Sequence, residues 1–106
     1  MQNLLQGTYD SHPFGEVKIN AEAKGQYCQG KGTFYVTRVW SNGRQFSVDW
    51  TRKDLKLKGD AKFVSSGRGI NKRWVGTWQA QDNTTGTWIL FPNFEVTSPL
   101  FLTKNF

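Results

Sequence analysis

Apolar and polar residues alternate with a period of two along most of this chain, and no window carries a helical stripe. That pattern fits a half-buried β-strand and little else. "EVKINAEA" sets Val17, Ile19, Ala21 and Ala23 against Glu16, Lys18, Asn20 and Glu22. "TFYVTRVW" runs through "SNGR" into "QFSVDW", where Phe46, Val48 and Trp50 alternate with Gln45, Ser47 and Asp49. Asn42-Gly43 suits the positive φ angles of a type I′ turn, so the spacing predicts a β-hairpin over 33–50. "LKLKGDAKFV" puts Leu55, Leu57, Ala61 and Phe63 on one face and Lys56, Lys58, Asp60 and Lys62 on the other. "RWVGTWQAQ" and "GTWILF", joined through "DNTTG", predict a second hairpin. Pro92 breaks the run, and "FEVTSPLFLTK" reads as a last strand, interrupted at Pro99 and therefore at an edge. A short turn is expected around "QNLLQ". The 106 residues suit one domain, 1–106, with one modest core. The expected fold is all-β: a small antiparallel β-barrel of about seven or eight strands, calycin-like or OB-like, with a β-sandwich as the alternative.

Gly-Thr-aromatic recurs, as Gly7-Thr8-Tyr9, Gly32-Thr33-Phe34, Gly76-Thr77-Trp78 and Gly86-Thr87-Trp88. The separations are too irregular for a solenoid or a propeller. A glycine permits a sharp bend, and an aromatic two positions later lies on the same face, where it fills the space the bend opens. Chance recurrence in a chain rich in Gly, Thr and Trp is the alternative. "LLQGTYDS", "FSVDW" and the late Trp-containing strands resemble pieces of avidin-type barrels, in which such strands line a ligand cup. The resemblance covers fragments only. It implies a small antiparallel barrel and carries over no ligand-contacting residue and no biotin site.

Catalytic equipment is sparse. The single Cys28 sits among polar neighbours with no cation run to lower its pKa, and reads as a packing residue. His12, the one histidine, precedes Pro13 in an expected turn and has no acid–nucleophile companions at a motif spacing. One His and one Cys cannot make a four-ligand zinc site, and the eight carboxylates form no calcium-type run. Nothing nominates a glycosidase pair from Asp10, Glu16, Asp49 and Glu95. In "SSGRGINKRW", Gly67 and Gly69 could turn backbone N–H groups toward an anion, but the Walker spacing is missing and a plain connecting loop is the simpler reading. The expectation is a non-enzyme with no metal and no cofactor. A lone cysteine cannot form an internal disulfide, which favours a reducing compartment. With no signal-peptide pattern in "MQNLLQGTYD" and no apolar run of about 18 residues, a cytoplasmic protein off the membrane is expected.

Charge is the one functional signal. Between Arg52 and Arg73 lie eight basic residues (Arg52, Lys53, Lys56, Lys58, Lys62, Arg68, Lys72 and Arg73) and two acids, Asp54 and Asp60. That is 8 − 2 = +6, the entire net charge of the chain. If Leu55, Leu57, Ala61 and Phe63 point inward, the lysines between them stand outward about 7 Å apart, near the phosphate repeat of a single nucleic-acid strand. Trp50, Trp74 and Trp78 lie close by, and Trp74 is the candidate stacking platform, although each is equally suited to the core. Two function classes follow. One is a nucleic-acid-binding module, single-stranded or non-specific, using the eight cations and Trp74. The other is a small-molecule cup of avidin or lipocalin type, with Tyr9, Phe34, Trp78 and Trp88 lining a cavity for an anionic or nucleotide-like ligand. An inhibitor or assembly subunit with an acidic protein partner would use the same patch. Outward lysines that protect a strand edge or keep a face solvated are the bland alternative.

Overall fold

The computed structural model describes residues 5–68 and 71–92. Eight strands follow one another: β1 (Gly7–His12), β2 (Val17–Ile19), β3 (Lys24–Tyr27), β4 (Gly32–Val39), β5 (Gln45–Arg52), β6 (Leu57–Ser66), β7 (Arg73–Ala80) and β8 (Thr85–Pro92). Each pairs antiparallel with its neighbour in sequence, and β8 pairs with β1 through Tyr9↔Pro92 to His12↔Ile89, so the sheet closes into a barrel. Closure removes the open edges that a sandwich would leave. The ring is completed without "FEVTSPLFLTK", which lies outside the described residues, as does most of "QNLLQ".

Three local expectations are corrected. "EVKINAEA" is a strand only over Val17–Ile19. The Asn20 side chain accepts hydrogen bonds from the backbone N–H groups of Glu22 and Lys24, and Ala23 has φ 64°, so Ala21 and Ala23 belong to a turn. The 33–50 hairpin forms, but not through a type I′ turn. In its 40–44 connection only Gly43 has positive φ, Trp40 O accepts from Gly43 N, and Asn42 Oδ1 accepts from Arg44 N. Leu55 is exposed, because β6 starts at Leu57 and Lys56, at φ 54°, still belongs to the turn.

The interior explains the glycines. Five of them stand directly across a strand pair from an aromatic: Gly25↔Phe34, Gly32↔Tyr27, Gly59↔Trp50, Gly76↔Phe63 and Gly86↔Trp78. In every case a Cβ on the glycine would lie within 2.7 Å of its partner's ring. An eight-stranded barrel has an interior only just wide enough for side chains. Placing a ring over a bare backbone lets that small space hold many aromatics. Three of the four Gly-Thr-aromatic repeats are thus mechanical, but the rings over Gly32, Gly76 and Gly86 come from the adjacent strand rather than from two positions along the same one, and Gly7 has no ring over it.

The rings pack in contact through the barrel. Trp88, buried, meets Tyr27 at 4.8 Å, Phe14 at 5.1 Å, Phe63 at 5.5 Å and Phe34 at 5.8 Å between centroids. Phe46 stacks on Phe63 at 4.8 Å and meets Trp74 edge-on at 4.8 Å. The β1–β2, β3–β4, β5–β6 and β7–β8 connections share one end, called upper below. The β2–β3, β4–β5 and β6–β7 connections share the lower end.

Candidate functional site

The basic run of residues 52–73 does not stay together. Arg52 ends β5 at the upper rim, where its Nε and Nη2 donate to Asp54 Oδ1 and Oδ2 at 2.9 and 2.8 Å. The same contact holds the exposed Asp54 carboxyl below the ordinary carboxylate range. Lys53 and Lys56 sit beside this pair in the β5–β6 turn. Lys58 and Lys62 do point outward from β6, but Asp60 stands between them and faces Asp49 across the β5–β6 ladder. The outer groove beside Lys58, lined by Tyr35, Asp49, Thr51 and Asp60, therefore carries both signs. Arg68 and Lys72 lie in the β6–β7 connection and Arg73 opens β7, all at the lower end. The ten residues of β6, about 30 Å of strand, separate the two groups.

Trp74 is not a surface platform. Pleating sends Arg73 outward and Trp74 inward, where it is 6% exposed and packs on Phe46. Trp50 is buried as well, and its indole N–H donates to Asp60 O at 3.0 Å.

What gathers instead is a lower-end cluster that includes residues from a different hairpin. Register places Arg38 opposite Ser47, and Ser47 opposite Lys62, so the two cations flank one residue of β5. Both lie over the Trp40 ring, the Arg38 guanidinium carbon at 4.3 Å and Lys62 Nζ at 5.6 Å from its centroid. Ser65 N donates to Arg44 O at 2.8 Å, which ties the β4–β5 connection to β6. Next to it, Lys72 Nζ lies 5.6 Å from the Trp74 centroid and the Arg73 guanidinium 5.9 Å from that of Phe91. Such contacts restrain a cation without neutralising it.

The charge count is one-signed here. From Val36 to Val48 the charged residues are Arg38 and Arg44. From Ala61 to Gln81 they are Lys62, Arg68, Lys72 and Arg73. Six cations thus occur with no carboxylate, and the rest of the chain holds 14 − 6 = 8 basic residues against 8 acids. The protein's net +6 is carried by these two stretches of neighbouring strands. Among the described residues, none of the six pairs with a carboxylate; the ion pairs are Lys18–Glu16 and Arg52–Asp54. The described carboxylates nearest this end are Glu22, in the β2–β3 connection beside Lys24, and Asp10, which stands opposite Phe91 across the β1–β8 ladder. Arg38, Trp40 and Arg44 lie outside the basic run of 52–73, and only strand pairing, not proximity along the chain, brings them to it. The hairpin that brings them to Lys62 was itself readable.

The cup residues are brought together only in part: Phe34 meets Trp88 edge-on at 5.8 Å. Tyr9 is buried, with its hydroxyl donating to Leu5 O at 2.8 Å; burial raises its pKa. Phe34 is buried beneath Gly25. Of the four, Trp78 and Trp88 line the cavity of about 90 Å³ at the upper end, and Phe34 borders grooves on the outer wall. Cys28 Sγ lies 3.5 Å from Phe14 O, and His12 is exposed on β1. Among the described residues no three His, Cys, Asp or Glu side chains gather as for a metal ion, and no helix is long and apolar enough to cross a membrane. In comparisons with known proteins, no family model, no curated protein and no solved structure matches the chain.

Proposed function

We propose that the protein is a non-catalytic binding module for single-stranded nucleic acid, which docks across the lower end of β4–β7. The observation that carries this reading is the presentation of four cations (Arg38, Lys62, Lys72 and Arg73) on aromatic rings rather than on carboxylates. A carboxylate partner offsets a cation's charge and takes some of its donors, whereas a cation resting on a ring keeps its charge and most of its donors for a phosphate. Arg44 and Arg68 extend the surface along the two lower connections. Trp40, half-buried and set among these cations, is the ring nearest to a base of the bound strand.

Phosphates seated on such a surface release condensed counterions, so affinity falls steeply with salt. With up to six contacts, the slope of log K against log salt for a single strand is about −4. Fluorescence anisotropy of a labelled oligothymidylate, titrated at several salt concentrations, tests this. Binding that weakens along such a slope supports the reading. Absence of binding at low salt, salt-insensitive binding, or binding to phosphatidylserine vesicles without binding to the oligonucleotide overturns it.

A further inference from the structure

The upper end is chemically unlike the lower one. Its cavity of about 90 Å³ is lined by Phe14, Tyr27, Trp50, Leu57, Trp78 and Trp88, with Arg52 and Leu55 at its edge. The walls are already supplied with hydrogen bonds. Tyr27 Oη donates to Thr51 O at 3.1 Å and Trp50 Nε1 to Asp60 O at 3.0 Å. Trp88 is the exception: its Nε1 is the one buried side-chain nitrogen or oxygen among the described residues that has no partner. A buried donor without an acceptor is unfavourable, and the π-face of a guest ring seated beside Trp88 can accept weakly from it. Leu55, at the lip, leaves a large apolar side chain 55% exposed.

We propose that this mouth binds a small planar aromatic carboxylate, its ring among Trp78, Trp88 and Phe14 and its carboxylate toward Arg52. Size limits the class. An apolar cavity of about 150 Å³ encloses benzene, so this one of about 90 Å³, open at its mouth, seats a single ring only in part and excludes fused systems. The ring walls favour an aromatic guest, since they meet one another in tilted and edge-on contacts that a further ring extends: Phe14 on Trp78 at 6.2 Å and Trp50 on Trp78 at 5.9 Å. Sign is set by Arg52. Asp54 takes its Nε and Nη2, which leaves Nη1 to face an anion, and Lys31, Lys53 and Lys56 occupy the adjoining upper turns. This site is independent of the lower surface and takes a different ligand.

Benzoate and benzyl alcohol, titrated separately into the protein and followed by the indole N–H resonances in ¹H–¹⁵N spectra, test the proposal. Benzoate is expected to shift the Trp88 and Trp78 indole signals saturably, and to bind about tenfold more tightly than the alcohol, as a charge-assisted contact warrants. Arg52→Gln is at a partly exposed position and should fold. It should bring benzoate down to the affinity of the alcohol and leave the alcohol unchanged. Leu55→Ala, at the exposed lip, should weaken both probes. The proposal is overturned if neither probe saturates, if Arg52→Gln leaves benzoate binding intact, or if the shifts fall on Trp40 instead.

Discussion

Gly25→Ala is expected to destabilise the protein although it removes a glycine from a strand. A strand glycine is ordinarily about 0.5–1 kcal/mol worse than alanine, so the intrinsic effect is stabilising. Here the new Cβ would lie 2.1 Å from Cζ of Phe34 and 2.5 Å from both its Cε atoms. The ring must retreat by more than 1 Å to reach normal contact of about 3.5 Å. It has nowhere to go, being 3% exposed and held between Tyr27 at 6.1 Å and Trp88 at 5.8 Å. Overpacking of this kind costs about 1–3 kcal/mol, which leaves a net loss of about 1 kcal/mol at mid-range, at most about 2.5, and a fall in Tm of about 5 °C at mid-range. Phe34→Leu alone also destabilises, by vacating ring volume. Together the two changes should cost less than their sum by at least about 0.5 kcal/mol, because the shortened side chain clears the added methyl. Urea unfolding of the four proteins in this cycle measures the coupling. Gly59→Ala supplies the contrast: its Cβ would lie 2.0 Å from the backbone carbonyl of Gln79, so shrinking Trp50 should not rescue it. Strict additivity at Gly25 and Phe34, or a Gly25→Ala protein as stable as its parent, would refute the idea that ring-over-glycine pairing sets this core.

Two further expectations concern charge and ionisation. Asp49 and Asp60 face each other across β5 and β6, and like charges directly opposite are destabilising, so Asp49→Asn should raise unfolding free energy by about 0.2–1 kcal/mol. An unchanged or lowered midpoint in urea would count against that repulsion. Burial raises the phenol pKa of Tyr9 and Tyr27 above the ordinary value of 10.0. A proton held more tightly in the folded state stabilises it fully below pH 10, and that contribution is lost as pH climbs through the folded-state pKa. Thermal stability should therefore decline above about pH 10, and Tyr27→Phe should make the decline shallower; an alkaline limb identical to that of the parent would contradict the assignment.

The architecture was legible because period-two alternation survives in the long strands: Phe46, Val48 and Trp50 face inward, as do Ala61 and Phe63, just as their spacing indicates. Short elements were not. Three residues of β2 and four of β3 are too few to show a period, and Ala21 and Ala23 fit the alternation while lying in a turn. The site was half-legible. Lys62, Arg68, Lys72 and Arg73 were readable as basic, but closeness along the chain is a poor guide in a barrel, where Arg52 and Arg73 terminate opposite ends. The relevant neighbour of Lys62 is Arg38, reached across Ser47, and pairing the predicted 33–50 hairpin with the following strand is the step that finds it. Trp74 shows the opposite error. A tryptophan beside two cations looks like a stacking platform until pleating is applied, and then it must point into the core when Arg73 points out.

Paired charge removals test the central claim most directly. Arg38→Gln with Lys62→Gln takes two cations from the lower end, and Lys53→Gln with Lys56→Gln takes two from the upper turn, with the same change in net charge. Oligothymidylate titrations over a salt series should show the first pair losing affinity and flattening the slope of log K by about 1.4, at 0.7 per contact, while the second pair changes neither. Equal losses for the two pairs would mean that only net charge matters, and would contradict a binding surface built on Trp40.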